Sequence, residues 1–227
     1  TDFVARNDIF QKLVGNVAKL ALKASDLTSL KASKMPSGKT VEEEVMEHVG
    51  TIGENLSLRR VENISVNEGI VASYVHNAVA DGLGKIAILV ALESKGDKTK
   101  LLEVGKQIAM HIAAARPTCL NIESVNPTQV ERERAIFIEQ TKDSGKPENI
   151  IEKMVEGRIR KFYEEVVLLE QVFVIDGKSK IREVVETASK EIASPIELKA
   201  FARFELGEGI EQEEKDFAAE VAAVMGK

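Results

Sequence analysis

Ile70-Val71-Ala72-Ser73-Tyr74-Val75-His76, the turn residues Asp81-Gly82, and then Lys85-Ile86-Ala87-Ile88-Leu89-Val90-Ala91-Leu92 form the stretch on which the fold depends. Both runs are rich in β-branched residues and partly alternate, which suits a pleated, half-buried surface, and Asp-Gly between them favours a tight reversal. Two antiparallel strands are expected here, with a third over residues 56–61 and a turn at Asn67-Glu68-Gly69. The period then changes. Leu101, Val104, Ile108 and Ile112 recur at three- and four-residue steps between residues 100 and 115, the spacing that stacks apolar side chains on one helix face. That helix should pack on the sheet and stop before Pro117.

Upstream, Phe10, Leu13, Val14, Val17, Leu20 and Ala21 predict a helix over 9–22. Pro36 and Gly38 mark a loop over 31–39, and Thr40 followed by Glu43 forms a capping box for a helix over 41–49 that should end at Gly50. Downstream, two charge-rich helical runs between 128 and 163 flank Asp143-Ser144-Gly145-Lys146-Pro147. Gly suits a helix C-terminus and Pro the first turn of the next helix, so this is read as an antiparallel hairpin. Arms of about 16 residues at 1.5 Å per residue would project by roughly 24 Å. Its expected seam is Val130, Ile136, Phe137, Gln140, Ile151, Met154, Val155, Ile159 and Phe162.

Residues 165–175 and 198–206 again read as strands, and 180–193 and 215–224 as helices. Ile108-Ala109-Met110-His111-Ile112-Ala113-Ala114 and Phe217-Ala218-Ala219-Glu220-Val221-Ala222-Ala223 each close a strand-then-helix unit with small residues. The class is therefore α+β: two related α/β subdomains with small antiparallel sheets packed on helices, residues 1–126 and 165–227, with the hairpin or coiled coil of 127–164 inserted between them.

A chain of 227 residues with 44% hydrophobic content can fill ordinary cores. A net charge of -6, with both signs interspersed, gives no reason to expect a nucleic acid as the main partner. Cys119 is the only cysteine, so no intrachain disulfide can form, which fits a reducing compartment. The longest apolar run, residues 86–92, is far below the roughly 18 to 20 residues that span a bilayer. A cytoplasmic protein with no membrane partner is expected.

Few motifs suggest chemistry. Ser33-Lys34-Met35-Pro36-Ser37-Gly38-Lys39-Thr40 resembles a phosphate-binding loop, but Ser33 holds the first glycine position and no apolar strand feeds it. Gly82-Leu83-Gly84-Lys85 is weaker, since a strand follows it. His48, His76 and His111 are far apart and no Cys or His pair has ligand spacing, so neither a metal nor a cofactor is expected. No acid/base pair stands out among the carboxylates, and the chain does not read as an enzyme.

The opening Thr1-Asp2-Phe3-Val4-Ala5-Arg6-Asn7 sets an aromatic beside a carboxylate in a chain with no Trp, two Tyr and eight Phe. Phe3 is either a wedge for a partner or a residue tucked under the following helix. Ile52-Gly53 lies where a helix gives way to an extended segment, and Gly there commonly just permits the turn. His76 shares a strand face with Ala72 and Tyr74, the usual setting of a rim histidine.

Together with Thr51-Ile52-Gly53-Glu54-Asn55, Ile108-Ala109-Met110-His111, Lys153-Met154-Val155-Glu156-Gly157-Arg158 and Phe217-Ala218-Ala219-Glu220-Val221-Ala222-Ala223, this opening resembles bacterial elongation factor Ts. The resemblance runs from Thr1 to about Ala223. Members of that family begin with a small three-helix module that does not precede Thr1 here, so a core lacking it is expected. The resemblance implies a guanine-nucleotide exchange factor for elongation factor Tu, bound in both its GDP-loaded and nucleotide-free forms. It implies that Asp2, Phe3 and Val4 meet the GTP-binding domain near its magnesium site, with Phe3 parting two helices and Asp2 holding the opened arrangement by hydrogen bonding. Ile52, Gly53 and His76 would face the same domain. Val174-Ile175 would meet the distal β-barrel domain, with Ile175 where the family carries Met. The alternative is a non-catalytic dimerisation or scaffold module acting through the hairpin, and a homodimer stays open.

Overall fold

The computed structural model describes residues 1–142 and 146–210, and the expected helix at 215–224 and the tip of the hairpin lie outside them. The predicted strand pair is present as β1 (Gly69–Ala80) and β2 (Leu83–Glu93), antiparallel, with Tyr74 opposite Ile88 and His76 opposite Ile86. Gly82, at φ 69°, makes the reversal that a side chain would resist. Gly84 is needed for a different reason: a Cβ there would lie 2.5 Å from Val75 Cγ1 and 3.0 Å from the His76 carbonyl oxygen.

Alternation along β2 turns Ile86, Ile88, Val90 and Leu92 to one buried face. Against it lies α5 (Lys98–Ala115), started by Asp97, whose Oδ1 accepts the N–H groups of Thr99 at 2.8 Å and Lys100 at 3.2 Å. Leu101, Ile108 and Ile112 of α5 are fully buried in the shared core, as the periodicity predicts. Gly105 lets the helix approach closely, because a Cβ there would meet Ala72 Cβ at 2.6 Å.

The expected sheet of the C-terminal part joins this one. β3 (Glu197–Glu205) pairs antiparallel with β2, giving the order β1-β2-β3 among the described residues, and α8 (Ile181–Ile192) adds Ile181, Val185 and Ala188 to the same core. The free edge of β2 accepts a strand whose Leu198 and Phe201 land beside Leu92 and Val90 on the covered face. Both halves of the chain thus build one α+β layer.

Three local expectations are corrected. Residues 56–61 form no strand: Leu56, Leu58 and Val61 lie half-buried on a second core of Leu13, Val17, Leu30, Met35 and Val41, so their alternation reflects packing without a ladder partner. Residues 165–175 are not a strand either. They comprise the end of a helix, a 3-10 turn at Leu168–Glu170 and a loop, with Val167 and Leu168 buried, and a short apolar run does not by itself distinguish these from a strand. The helix expected to end at Gly50 continues as α4 (Val41–Ile52) to Gly53, because Gly53 is the residue that takes the left-handed conformation, φ 78°.

The second core is enclosed by α2 (Asp8–Ala21), α3 (Leu27–Ala32) and α4. The predicted capping box of α4 is present: Thr40 Oγ1 accepts the Glu43 N–H and Glu43 Oε2 accepts the Thr40 N–H at 2.6 Å. Residues 33–40 are therefore a turn anchored by buried Met35 and closed by a helix cap.

α6 (Pro127–Lys142) and α7 (Glu148–Val166) pack side by side in opposite directions, with Val130 in the cluster of Phe162 and the Arg158 guanidinium 5.6 Å from the Phe137 ring centre. Val155, Ile159 and Phe162 are buried as expected. On α6 Val130 and Phe137 are half-buried as expected, whereas Ile136 and Gln140 are exposed and Glu133 is half-buried on the covered side. Among the described residues no helix is long and apolar enough to cross a membrane.

Candidate functional site

The opening segment folds as α1 (Asp2–Ala5), one short turn whose Thr1 hydroxyl accepts the Val4 N–H. Four residues cannot hold a helix by their own hydrogen bonds, so contacts with the rest of the chain must fix it. Val4, grouped with the contact residues from the sequence, points inward and is 5% exposed, whereas Phe3 beside it is 86% exposed. The reading of Phe3 as a residue tucked under α2 does not hold. Burial of Val4 is what turns Phe3 outward.

Two polar ties complete the anchor. Thr1 Oγ1 donates to Glu54 Oε1 at 2.7 Å, one residue beyond Gly53. Asp2 Oδ1 pairs with Lys85 Nζ at 2.6 Å, and the Lys85 ammonium holds the Asp2 carboxyl below the usual carboxylate range. Lys85 precedes Ile86, whose strand partner is His76. Through these ties the structure links Asp2-Phe3 to the residue after Ile52-Gly53 and to the strand beside His76, three separate parts of the chain. Lys85 and Glu54 make the links; Glu54 lies in the Thr51-to-Asn55 motif and Lys85 opens the predicted second strand, and neither position signals a tie to residues 1 and 2.

Along β1 the face shared by Ala72, Tyr74 and His76 grades from core to solvent: Ala72 is buried, Tyr74 half-buried and His76 exposed. Tyr74 Oη lies 3.0 Å from His76 Nδ1, so the phenol steadies the imidazole at the rim. Asn77, at φ 52°, and the register shift between Ala78 and Ala80 bend the strand just beyond it.

Val174 and Ile175 belong to a second, differently built place. They are 49% and 52% exposed on the loop between the 3-10 turn and α8, next to buried Phe173. The loop closes on itself: Phe173 N–H donates to the Ser179 carbonyl at 2.8 Å, and Asp176 Oδ1 accepts from Lys178 and Ser179 N–H groups. Its inward anchor is His111 of α5, fully buried, whose Nδ1 accepts the Val174 N–H at 3.3 Å. His111 Nε2 lies 2.9 Å from Gln171 Oε1 and donates to it, while Gln171 Nε2 donates to the carbonyls of Glu165 at 2.7 Å and Ala115 at 3.3 Å. Burial pushes the His111 pKa down, which favours the neutral ring, and the Val174 N–H aimed at Nδ1 places the ring proton on Nε2. Sequence reading weighed His111 only as a metal ligand and missed Gln171, because partners 60 residues apart leave no spacing signal.

Among the described residues no group of three or more His, Cys, Asp or Glu side chains is placed to hold a metal ion. A cleft of about 1070 Å³ lined by Arg60, Arg116, Lys199 and Arg203 includes none of the expected site residues, and Arg203 there is bonded to Glu205 and Glu208. What the exposed features offer is apolar contact.

The family model described as "Elongation factor TS" matches residues 1–208. The chain is 57% identical over 226 residues to elongation factor Ts of Rickettsia bellii, covering 99% of this chain and 73% of that protein. It is 56% identical over 228 residues to elongation factor Ts of Rhodospirillum centenum, covering 100% of this chain and 74% of that one. With elongation factor Ts of Parvibaculum lavamentivorans the identity is 59% over 225 residues, 98% of this chain and 73% of the relative.

Proposed function

Because this chain belongs to the elongation factor Ts family, and so to the translation elongation factors, we propose that it is a guanine-nucleotide exchange factor acting on elongation factor Tu. The observation that carries the reading is Phe3, held in solvent at 86% exposure on a turn whose neighbours Val4 and Asp2 are tied down. An exposed aromatic on a fixed base loses little conformational freedom when it enters a partner, so most of its apolar burial is available for binding.

The proposed mechanism is thermodynamic coupling. Phe3 enters the GTP-binding domain near the magnesium and phosphate site, and Asp2 exchanges Lys85 for hydrogen-bond donors of the partner. Ile52, Gly53 and His76, linked to this turn through Glu54 and Lys85, extend that contact, while Val174 and Ile175 engage the distal β-barrel domain. Val4 supports Phe3 from below. A chain that prefers the opened form of its partner weakens GDP binding by the same factor by which GDP weakens its own binding. At a typical coupling of about 1 to 3 kcal/mol that factor is about 5 to 150. The process breaks no covalent bond and uses no resident cofactor, and its setting is the cytoplasm.

Stopped-flow release of labelled GDP from purified elongation factor Tu tests this directly. Release should accelerate with added chain and saturate. Binding that leaves the release rate unchanged would sink the exchange reading and favour a scaffold acting through the hairpin.

A further inference from the structure

His111 places a polar ring inside an apolar core beside Ile108, Ile112 and Phe173, where an apolar residue packs without polar groups to satisfy. Both ring nitrogens are used, and neither hydrogen bond serves α5 itself. Nδ1 takes the Val174 N–H and Nε2–H goes to Gln171, whose amide in turn holds the last turn of α7 through Glu165 and the end of α5 through Ala115. The ring therefore joins three elements at the root of one loop, and that loop carries Val174 and Ile175.

We propose that His111 is a positioning residue for the Val174–Ile175 contact. With its N–H drawn inward to Nδ1, Val174 has a fixed backbone orientation, Phe173 packs beside the His111 ring, and the two aliphatic side chains that follow stay in solvent. The partner's identity rests on the exchange-factor reading; the loop geometry does not. The two hydrogen bonds are separable by substitution. In His111→Asn the side-chain oxygen replaces Nδ1 as acceptor for Val174 and the bond to Gln171 is lost. In His111→Gln the amide N–H replaces Nε2–H as donor to Gln171 and Val174 loses its acceptor.

Each variant forfeits one buried hydrogen bond, so both should melt earlier than wild type by similar amounts. Positioning predicts an asymmetry that stability alone does not: the chain concentration giving half-maximal GDP release should rise about five- to tenfold in H111Q and stay within about twofold of wild type in H111N. Equal shifts in the two variants would overturn the proposal. Hydrogen exchange of the wild-type Val174 amide decides even if neither variant folds: protection of at least about tenfold over an unstructured amide supports the anchor, and free exchange removes it. A wild-type chain that fails to release GDP while Val174 stays protected strikes the exchange reading and spares the anchor.

Discussion

Phe3 and the Val174–Ile175 pair are both apolar and exposed, yet they stand on opposite kinds of foundation. Phe3 rides on a four-residue turn fixed by one buried valine and by polar ties at the surface, Asp2 to Lys85 and Thr1 to Glu54. Val174 and Ile175 ride on a loop fixed to a buried imidazole that is itself locked to two helices. Surface ties exchange readily with water and with a partner's groups, whereas a satisfied buried network holds one geometry. The difference suits a wedge whose surface ties can be exchanged for a partner's groups at one place and a foothold locked from within at the other.

Phe3→Ala should give the largest effect. Removing an exposed ring should leave the melting temperature nearly unchanged, within about 0.5 kcal/mol of stability. As an interface anchor it should cost about 2 kcal/mol or more, read as at least a roughly 30-fold loss in the efficiency of GDP release. Early melting with normal release would return Phe3 to a structural role and erase the comparison.

Val174→Ser combined with Ile175→Ser removes two half-exposed aliphatic side chains and should weaken capture by about tenfold, with less effect on the release rate at saturation. A loss of the saturated rate instead would show that this foothold also takes part in opening the partner.

A smaller effect separates the foundations by pH. His111 is buried neutral with its pKa lowered from 6.5, so below that value the unfolded chain binds the proton more readily than the folded one. Stability should therefore fall as pH drops from about 6.5 toward the lowered folded value, and the groups hydrogen-bonded to the ring, Gln171 and the Val174 N–H, carry no charge to offset this. Melting curves of H111N should be flatter over that window than those of wild type. Asp2 lies the other way: its folded pKa is lowered by Lys85, so its contribution is present above 3.8 and is lost in stronger acid as pH falls through the folded value.

The smallest effect is expected at the surface pair. Asp2→Asn should lower the melting temperature only slightly, and any difference from wild type should vanish at high salt, where exposed pairs are screened. A salt-independent loss of stability would mean that α1 is held far more firmly than its exposed ties suggest.

Much of the fold was legible because it repeats at short range. Ile86, Ile88, Val90 and Leu92 alternate, Leu101, Ile108 and Ile112 recur at helical spacing, and Thr40 with Glu43 announces a cap; each pattern is local, and each is found. Residues 56–61 and 165–175 misled for one reason: apolar content reports burial, and whether a buried segment also finds a ladder partner depends on what lies beside it. The same limit applied to the site. Phe3 stood out by composition, but its exposure was undecided until Val4 proved to be the buried neighbour.

The sequence by itself determined the helix and strand periods, the caps, the turn at Gly82 and the family, since all of these are written in residues close together or in short motifs spaced along the chain. Only the tertiary structure decided that β3 completes the sheet of β1 and β2, that Lys85 brings Asp2 toward the His76 end of β1, and that His111 carries the loop of Val174. Those pairings join positions 63 to 119 residues apart, and they follow from how the chain closes on itself and where its ladder and polar groups find partners, which no local pattern encodes.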